Sequence, residues 1–416
     1  PHVLDMFEPQ DYPNDFAYPG GPPTPPYDIT GWTPALTMGV RFDRVLDGFA
    51  GPFAPVADTV LPPPGRIGGP PNATGYLLRH DVNNGVIAVN RLLKANDAVY
   101  WITQPLDANG ITYPAGTIYI PSSTSSLAIV RRAAAALGLS FDGVAAAPTA
   151  GLLRLRPVRI GLADQYGGSI PSGWIRWLFD QYEFPYTVVY PPDLDAGQLS
   201  SHFDVLVFAD GAIPAADAGA RNPYARMPNP DSVPAEYRGR IGSITVARTV
   251  PQLRTFLEAG GTVLAIGSST SLAADLGLPV SSALVREGSD TPLSREQFYV
   301  PGSVLEARVD TSDPLSYGIP DSVAVLFDHS PAFRLSGRSA GLRKVAWFDS
   351  PAPLRSGWAW GQQHLDQSVA IVDATVGKGR LALFGPEITF RGQPHGTFGF
   401  LFNGIYYGPA SAADAK

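Results

Sequence analysis

The sequence predicts an α/β protein in three parts: a Pro/Gly-rich extended strap over residues 1–74, a small α/β module over 75–150, and a doubly wound, mostly parallel sheet over 151–416 that turns β-rich from about 285. Three observations carry this reading. From Arg156 onward, short apolar runs alternate with helical patterns in the βαβ rhythm of an open sheet. The 416 residues exceed the ~100–200 usual for one domain. PGGPPTPP and LPPPGRIGGPP place proline clusters early, where they favour extended backbone and withhold amide donors from any ladder.

Between those clusters, Trp32, Leu36, Met38, Val40, Phe42, Val45, Leu46 and Phe49 offer apolar area for docking as a strap rather than for a free linker. In the module, NNGVIAVNRLLKAN predicts a helix opened by an Asn cap, with Val86, Val89, Leu92 and Leu93 on one face. VYWIT and GITYPAGTIYI alternate β-branched and aromatic residues as strands do, and SSLAIVRRAAAALGL predicts a second amphipathic helix.

PVRIGLAD, YTVVY, FDVLVFADG and TVLAIGSS predict buried parallel strands, with helices at GWIRWLFDQYEF and TVPQLRTFLEAGG. VPGSVLEARVD, SVAVLFD, VAWFDS, SVAIVDATVGKG and RLALFGPE are the short strands of the extension. TFGFLFNGIYYG predicts a terminal helix.

Composition removes several function classes. With 30 basic against 37 acidic residues, a net charge of −7 and no basic block, no nucleic acid is expected as a partner. No apolar run approaches the ~20 residues of a membrane span. The absence of cysteine excludes disulfides, thiolate metal sites and a cysteine nucleophile. Only four lysines (Lys94, Lys344, Lys378, Lys416) stand beside 26 arginines; this reads as coding bias, although guanidinium also suits peptide carboxylates. No export signal is visible, and Pro1 is expected to be the first residue of a fragment or a processed form.

The run PQDYPNDFAYPGGPPTPPYDITGWTPALTMGVRFDRVLDGF, Pro9 to Phe49, resembles the segment that follows the catalytic domain in large bacterial zinc carboxypeptidases of the M14 (carboxypeptidase A-like) type. The strands at 157–163, 186–190, 203–210 and 262–267, with the closing GKGRLALFGPEITFRGQPHGTFGFLFN, resemble the class I glutamine-amidotransferase-like (flavodoxin-like) domain that such proteins often carry next. With TYPAGTIYIP, the resemblance covers nearly the whole chain. It implies a non-catalytic accessory or assembly portion of a secreted, periplasmic or cell-surface metallocarboxypeptidase, with peptide as the parent's substrate. Zinc would lie only in a catalytic domain before residue 1. The strap's partners would be that domain or neighbouring subunits. Two alternatives stay open: a self-associating structural protein derived from such a precursor, and a serine hydrolase.

A zinc carboxypeptidase presents two ligands from a His and a Glu three apart. None of His2, His80, His202, His329, His364 or His395 has Glu three residues on; HVLD at His2 to Asp5 comes nearest. No metal ligand and no cofactor is therefore assigned. In amidotransferases of the resembling fold a cysteine nucleophile follows a central strand; here that turn reads Ala265-Ile266-Gly267-Ser268-Ser269-Thr270, which excludes amidotransfer from glutamine. Ser268 or Ser269 is a candidate hydroxyl nucleophile, or else caps the helix TSLAADLGL.

RGQPHGTF makes Arg391, Gln393 and His395 candidates for binding a carboxylate or glycan, the plainer reading being a turn in which Arg391 and His395 pair with backbone or Glu387. Asp328-His329 suggests a catalytic pair, opposed by the alternation of neighbouring residues along a strand. Asp193/Asp195 and Asp310/Asp313 have calcium-like spacing without a full loop, and Asn72-Ala73-Thr74 matches the glycosylation triplet. Trp174, Trp177, Phe179, Tyr182 and Phe184 suggest a sugar platform, or, at helical spacing, Trp174, Trp177 and Leu178 packed on the sheet.

Overall fold

A computed structural model describes residues 2–55, 59–149, 151–214, 228–336 and 341–413. The chain forms two compact units: Pro1–Gly39 with Arg156–Ala410, and Val40–Leu155 with Ser411–Lys416. The expected 1–74 strap therefore divides at Gly39, and the chain's last strand leaves the domain expected to contain it. Ser411–Ala413 pairs antiparallel with Leu152–Arg154, satisfying backbone groups that an edge strand otherwise leaves open.

In the smaller unit the strands Gly75–Leu78, Tyr100–Ile102, Ile118–Pro121, Phe141–Val144 and Leu152–Arg154 form a mostly antiparallel sheet. Leu77, Tyr100, Ile102, Tyr119 and Val144 build its core. The helix Gly85–Lys94 buries Val86, Val89, Leu92 and Leu93, as the pattern requires. Asn84 holds its N-cap position but forms no side-chain cap; its Nδ2 donates to the Leu137 carbonyl at 3.2 Å. The helix Thr124–Leu137 has a reciprocal cap between Ser123 and Ser126 and stops at Gly138, whose φ of 69° suits a residue without Cβ. Ahead of this sheet Val40, Val45, Leu46, Phe49, Phe53 and Leu61 are exposed, so the docking expected of the first four is not seen.

The larger unit is built on β1 (Ile160–Ala163), α1 (Ile170–Gln181), β2 (Tyr186–Val189), β3 (Val205–Phe208), α2 (Thr249–Glu258), β4 (Thr262–Ile266), β5 (Ser303–Val309), β6 (Ser322–Phe327), β7 (Leu342–Trp347), β8 (Val369–Val376), β9 (Gly379–Phe384) and α3 (Phe398–Tyr407). The sheet runs β2-β1-β3-β4-β9-β8-β7-β5-β6, parallel from β2 to β9 and antiparallel beyond. The parallel core follows from composition: every residue of β1, β3 and β4 is buried, as a sheet covered on both faces demands. From β1 the chain passes outward to β2, then back to β3 on its other side, so the topological switch lies between β1 and β3.

On α1 the sheet-facing residues are Ile175, Leu178 and Phe179, whereas Trp177 is 43% exposed. This corrects the expectation that Trp174 and Trp177 face the sheet. They lie against Gly392 instead, where an added Cβ would sit 2.9 Å from the Trp177 ring.

The first 39 residues do dock. Gln10 and Trp32 exchange two hydrogen bonds, Nε2 to the Trp32 carbonyl at 2.6 Å and the Trp32 amide to Oε1 at 2.9 Å. Thr30 and Thr33 meet Ser303 and Ser356, each at 2.8 Å between hydroxyls. Tyr12 stacks on Trp358, whose indole donates to Asn14 at 2.8 Å. Gly31 runs so close that a Cβ would lie 2.7 Å from the Val304 nitrogen.

Candidate functional site

In open α/β sheets ligands bind beyond the carboxyl ends of the strands, beside the topological switch. Carboxylates stand there in this protein. Asp164 follows β1, Asp210 lies two residues past β3, and Glu387 three past β9. The Asp164 side chain is 1% exposed and pairs with Arg176, accepting also from the Ser172 hydroxyl at 2.5 Å and the Gln165 amide at 2.8 Å.

The turn after β4 is anchored to the loop after β3. Gly267 has φ +58°, and a Cβ there would lie 2.3 Å from Asp210 Oδ1, so close approach and conformation both require glycine. The Ser268 amide donates to Asp210 Oδ1 at 2.7 Å, and the Ser268 hydroxyl accepts from the Gly211 amide at 2.9 Å. The buried Ser269 hydroxyl donates to the Ala209 carbonyl at 2.6 Å and accepts from the Ile213 amide at 3.0 Å. Neither serine has positive φ, so the strained conformation of a nucleophile elbow is absent at both. Nor do they cap the next helix as expected: the chain enters a 3₁₀ turn at Gly267–Ser271 and then Leu272–Asp275, with no side-chain cap.

Glu387 is pushed well above the usual carboxylate range, first by burial and then by the charges of Asp210 and Asp328. Its amide bonds to the Leu326 carbonyl at 3.1 Å, which ties the end of β9 to the end of β6. There Asp328 Oδ1 accepts from His329 Nδ1 at 2.8 Å. The sequence argued against this pair by strand alternation. It forms because β6 stops at Phe327, and His329 takes φ +50°, which brings two neighbouring side chains to one side.

Arg391 forks onto Asp28 at 3.0 and 2.8 Å, and this pairing holds the Asp28 carboxyl below its ordinary range. Its guanidinium lies over the Phe390 and Trp32 rings. Arg391 thus clamps the docked strap, which replaces the expected bond to backbone or Glu387. Gln393 lines a cleft with Ile29, Trp32 and Phe390 whose 20 Å³ accommodates about one water. The His395 ring lies tilted against Phe398 with centres 4.8 Å apart, and burial lowers its pKa.

The acidic turns are spent on local structure. Asp193 accepts from the Tyr190 amide and Asp195 from the Thr249 hydroxyl; Asp310 accepts from Ser312, and Asp313 from the Leu315 amide. Among the described residues no group of three His, Cys, Asp or Glu is placed to hold a metal ion. His2 and Asp5 lie 3.9 Å apart, exposed. Asn72 is exposed. No described helix is long and apolar enough to cross a membrane.

Sequence reasoning passed over Asp164, Asp210 and Glu387. Their signal was present in GLAD, VFAD and LFGPE: an acid one to three positions after a buried strand.

No family model matches the chain, and no curated protein matches it. Among solved structures it is similar to a putative GMP synthase component from Thermoplasma acidophilum, at 12% identity and TM-score 0.35, covering 60% of this chain and 93% of that one. A glutamine amidotransferase from Thermotoga maritima gives 13% identity and TM-score 0.34, with coverage of 56% and 77%. A putative ThuA-like protein from Bacteroides uniformis gives 9% and 0.30, with 59% and 89%. Likeness at these levels carries no inference about activity.

Proposed function

We propose that this chain is a non-catalytic accessory and assembly portion of a secreted protein similar to M14 zinc carboxypeptidases, the peptide chemistry residing in a separate zinc-bearing domain. One observation carries the reading: at the turn where the resembling fold keeps its nucleophile, Ser268 and Ser269 spend their hydroxyls on Gly211, Ala209 and Ile213. A hydroxyl accepting or donating in a fixed loop bridge, with no strained backbone presenting it, is a structural group. The docked strap supports the accessory role, since Arg391 and Trp358 fix residues 10–33 against the sheet.

The test is direct. The purified chain is incubated with a fluorophosphonate probe, and separately with peptide substrates and zinc, with and without chelator. Neither labelling nor hydrolysis is expected. Labelling lost in Ser268→Ala or Ser269→Ala, or chelator-sensitive release of C-terminal residues, overturns the proposal.

A second reading, self-association, is favoured by Val45, Leu46, Phe49, Phe53 and Leu61, all between 62 and 80% exposed. A sedimentation coefficient that stays monomeric across concentrations counts against it.

A further inference from the structure

Three loops at the carboxyl ends of the larger unit's parallel strands bring tyrosines to one arginine. Tyr166 lies three residues past β1, and Tyr190 directly follows β2. Tyr237 and Arg240 come from a 3₁₀ turn, Ala235–Arg240, in the connection between β3 and α2. The Arg240 guanidinium lies 5.1 Å from the centre of the Tyr190 ring and 4.8 Å from that of Tyr237, and its Nη1 donates to the Tyr190 hydroxyl at 3.5 Å. The Tyr166 ring stands beside Tyr237, with centres 6.4 Å apart and planes at 38°.

The group is held in place but left uncovered. Val233 and Ile244, on either side of the turn, are buried, and Arg238 Nε donates to the Val233 carbonyl at 3.0 Å. Gly242 passes so close to the residues after Tyr190 that an added Cβ would lie 3.1 Å from Pro192. No residue of the turn itself is buried; Tyr237 and Arg240 are exposed, Tyr166 and Tyr190 half-buried. Tyrosine and arginine displayed together on an anchored surface are the composition of protein-binding hot spots, because a tyrosine ring covers a wide amphipathic area at little conformational cost.

Charge and shape select the ligand. Among the described residues Arg240 has no carboxylate partner, Arg238 is engaged by Val233, and the turn carries one acid, Glu236. A single unpaired guanidinium beside a carboxylate matches a singly charged group, whereas a phosphate ester brings about −1.5 to −2 charges. Stacking against two rings occupies the faces of the guanidinium and leaves N–H donors along its edge, in the fork that fits the two oxygens of a carboxylate. An open face buries little of a small acid, so the ligand has to extend over several rings to gain from them.

We infer that this face binds an extended peptide bearing an acidic side chain, with the carboxylate on the edge of Arg240 and the adjoining peptide against Tyr237 and Tyr166. The inference draws nothing from the serine turn or from zinc, so it and the accessory reading can fail separately.

The experiment titrates the full chain, by ligand-observed NMR and calorimetry, with a short apolar peptide blocked at both ends and carrying one central glutamate. The same peptide with glutamine is the neutral control. A third arm, the glutamine peptide with a free C-terminal acid, separates side chain from chain end as the source of the carboxylate, and a galacturonate trimer tests an acidic glycan. Saturable binding of the glutamate peptide at millimolar concentration or below is expected, with the glutamine peptide weaker by about fivefold, the upper range for an exposed ion pair. Arg240→Ala should abolish that difference, and Arg240→Lys, which keeps the charge without the fork, should restore part of it. Tyr237→Ala should weaken both peptides alike. The melting temperature should stay close to wild type in all three variants, since the turn buries none of its side chains. Equal binding of the two blocked peptides, a glutamate preference that survives Arg240→Ala, tighter binding of the free C-terminal acid or of the galacturonate trimer than of the glutamate peptide, or no saturation at millimolar ligand overturns the inference.

Discussion

Asp313→Asn tests the electrostatics of the larger unit most sharply. The Asp313 carboxyl is buried at the turn before Pro314, where it accepts from the Leu315 amide at 2.9 Å and lies 3.1 Å from Arg343 Nε. Arg343 is shared, because it and Arg380 both pair with Asp373, itself 1% exposed. Burial raises Asp313 from 3.8 to about 6, and the charge of Asp373 adds to it, against the opposing pull of the Leu315 amide, Arg343 and Arg380. A carboxyl whose pKa is higher folded than unfolded contributes stability that is complete below 3.8 and lost as pH climbs through about 6. The gap between those values, at about 1.4 kcal/mol per unit, is worth roughly 3 kcal/mol. Asparagine keeps the shape and an acceptor for Leu315 but does not ionise. Denaturant unfolding of both proteins from about pH 4 to about pH 8 should therefore show wild type losing roughly 3 kcal/mol relative to the variant as pH rises. Parallel curves refute the reasoning. Wild type gaining on the variant refutes it more strongly, since it would mean that Arg343 outweighs burial.

Gly267→Ala is expected to cost roughly 2–4 kcal/mol, combining a left-handed φ with a Cβ 2.3 Å from Asp210 Oδ1; an unchanged thermal midpoint counts against the close packing of those two turns. Trp358→Ala removes the ring on which Tyr12 stacks and the donor to Asn14, so a loss of about 3–5 kcal/mol and faster proteolysis within residues 2–39 are expected. Ser269→Ala strands the Ile213 amide, while the Ala209 carbonyl keeps its bond from the Ala212 amide, so a loss of about 1–3 kcal/mol for the one unmet buried group is expected, measured by chemical denaturation. Because folding raises the Glu387 pKa, wild type should lose stability relative to Glu387→Gln as pH rises, read by denaturant unfolding at several pH values; parallel curves contradict a raised Glu387.

The parallel half of the sheet was legible because its strands are buried on both faces, so unbroken runs such as VLVF and TVLAI have one reading once helices alternate with them. Helix faces were less so. On α1 both Trp174-Trp177-Leu178 and Ile175-Leu178-Phe179 satisfy the spacing of an apolar stripe, and only the approach of Gly392 decides that the indoles turn outward. The strap misled by composition: Trp32 and Leu36 are half-buried and Val40, Val45, Leu46 and Phe49 are exposed, although nothing in their side chains distinguishes the two groups. The docked part is held by sequence-distant partners: Ser303 meets Thr30, Ser356 meets Thr33 and the Trp358 indole donates to Asn14. The return of Ser411–Ala413 to Leu152–Arg154 is unreadable for the same reason, since edge pairing is chosen by which backbone groups remain open.

The candidate site follows a related logic. A nucleophile at a strand-to-helix turn needs a strained backbone that holds its side chain clear of neighbouring donors. Here glycine takes the left-handed position at 267, which leaves Ser268 in unstrained backbone and lets its amide and hydroxyl meet the loop at 210–211. Burial first, and then the charges of Asp210 and Asp328, raise the Glu387 pKa above the usual carboxylate range. Asp210, which accepts from the Ser268 amide, is thus also one of the groups that raise Glu387, after burial. Serine-directed labelling therefore tests this arrangement directly: a labelled serine would require the 267–268 turn to detach from Asp210 and Gly211.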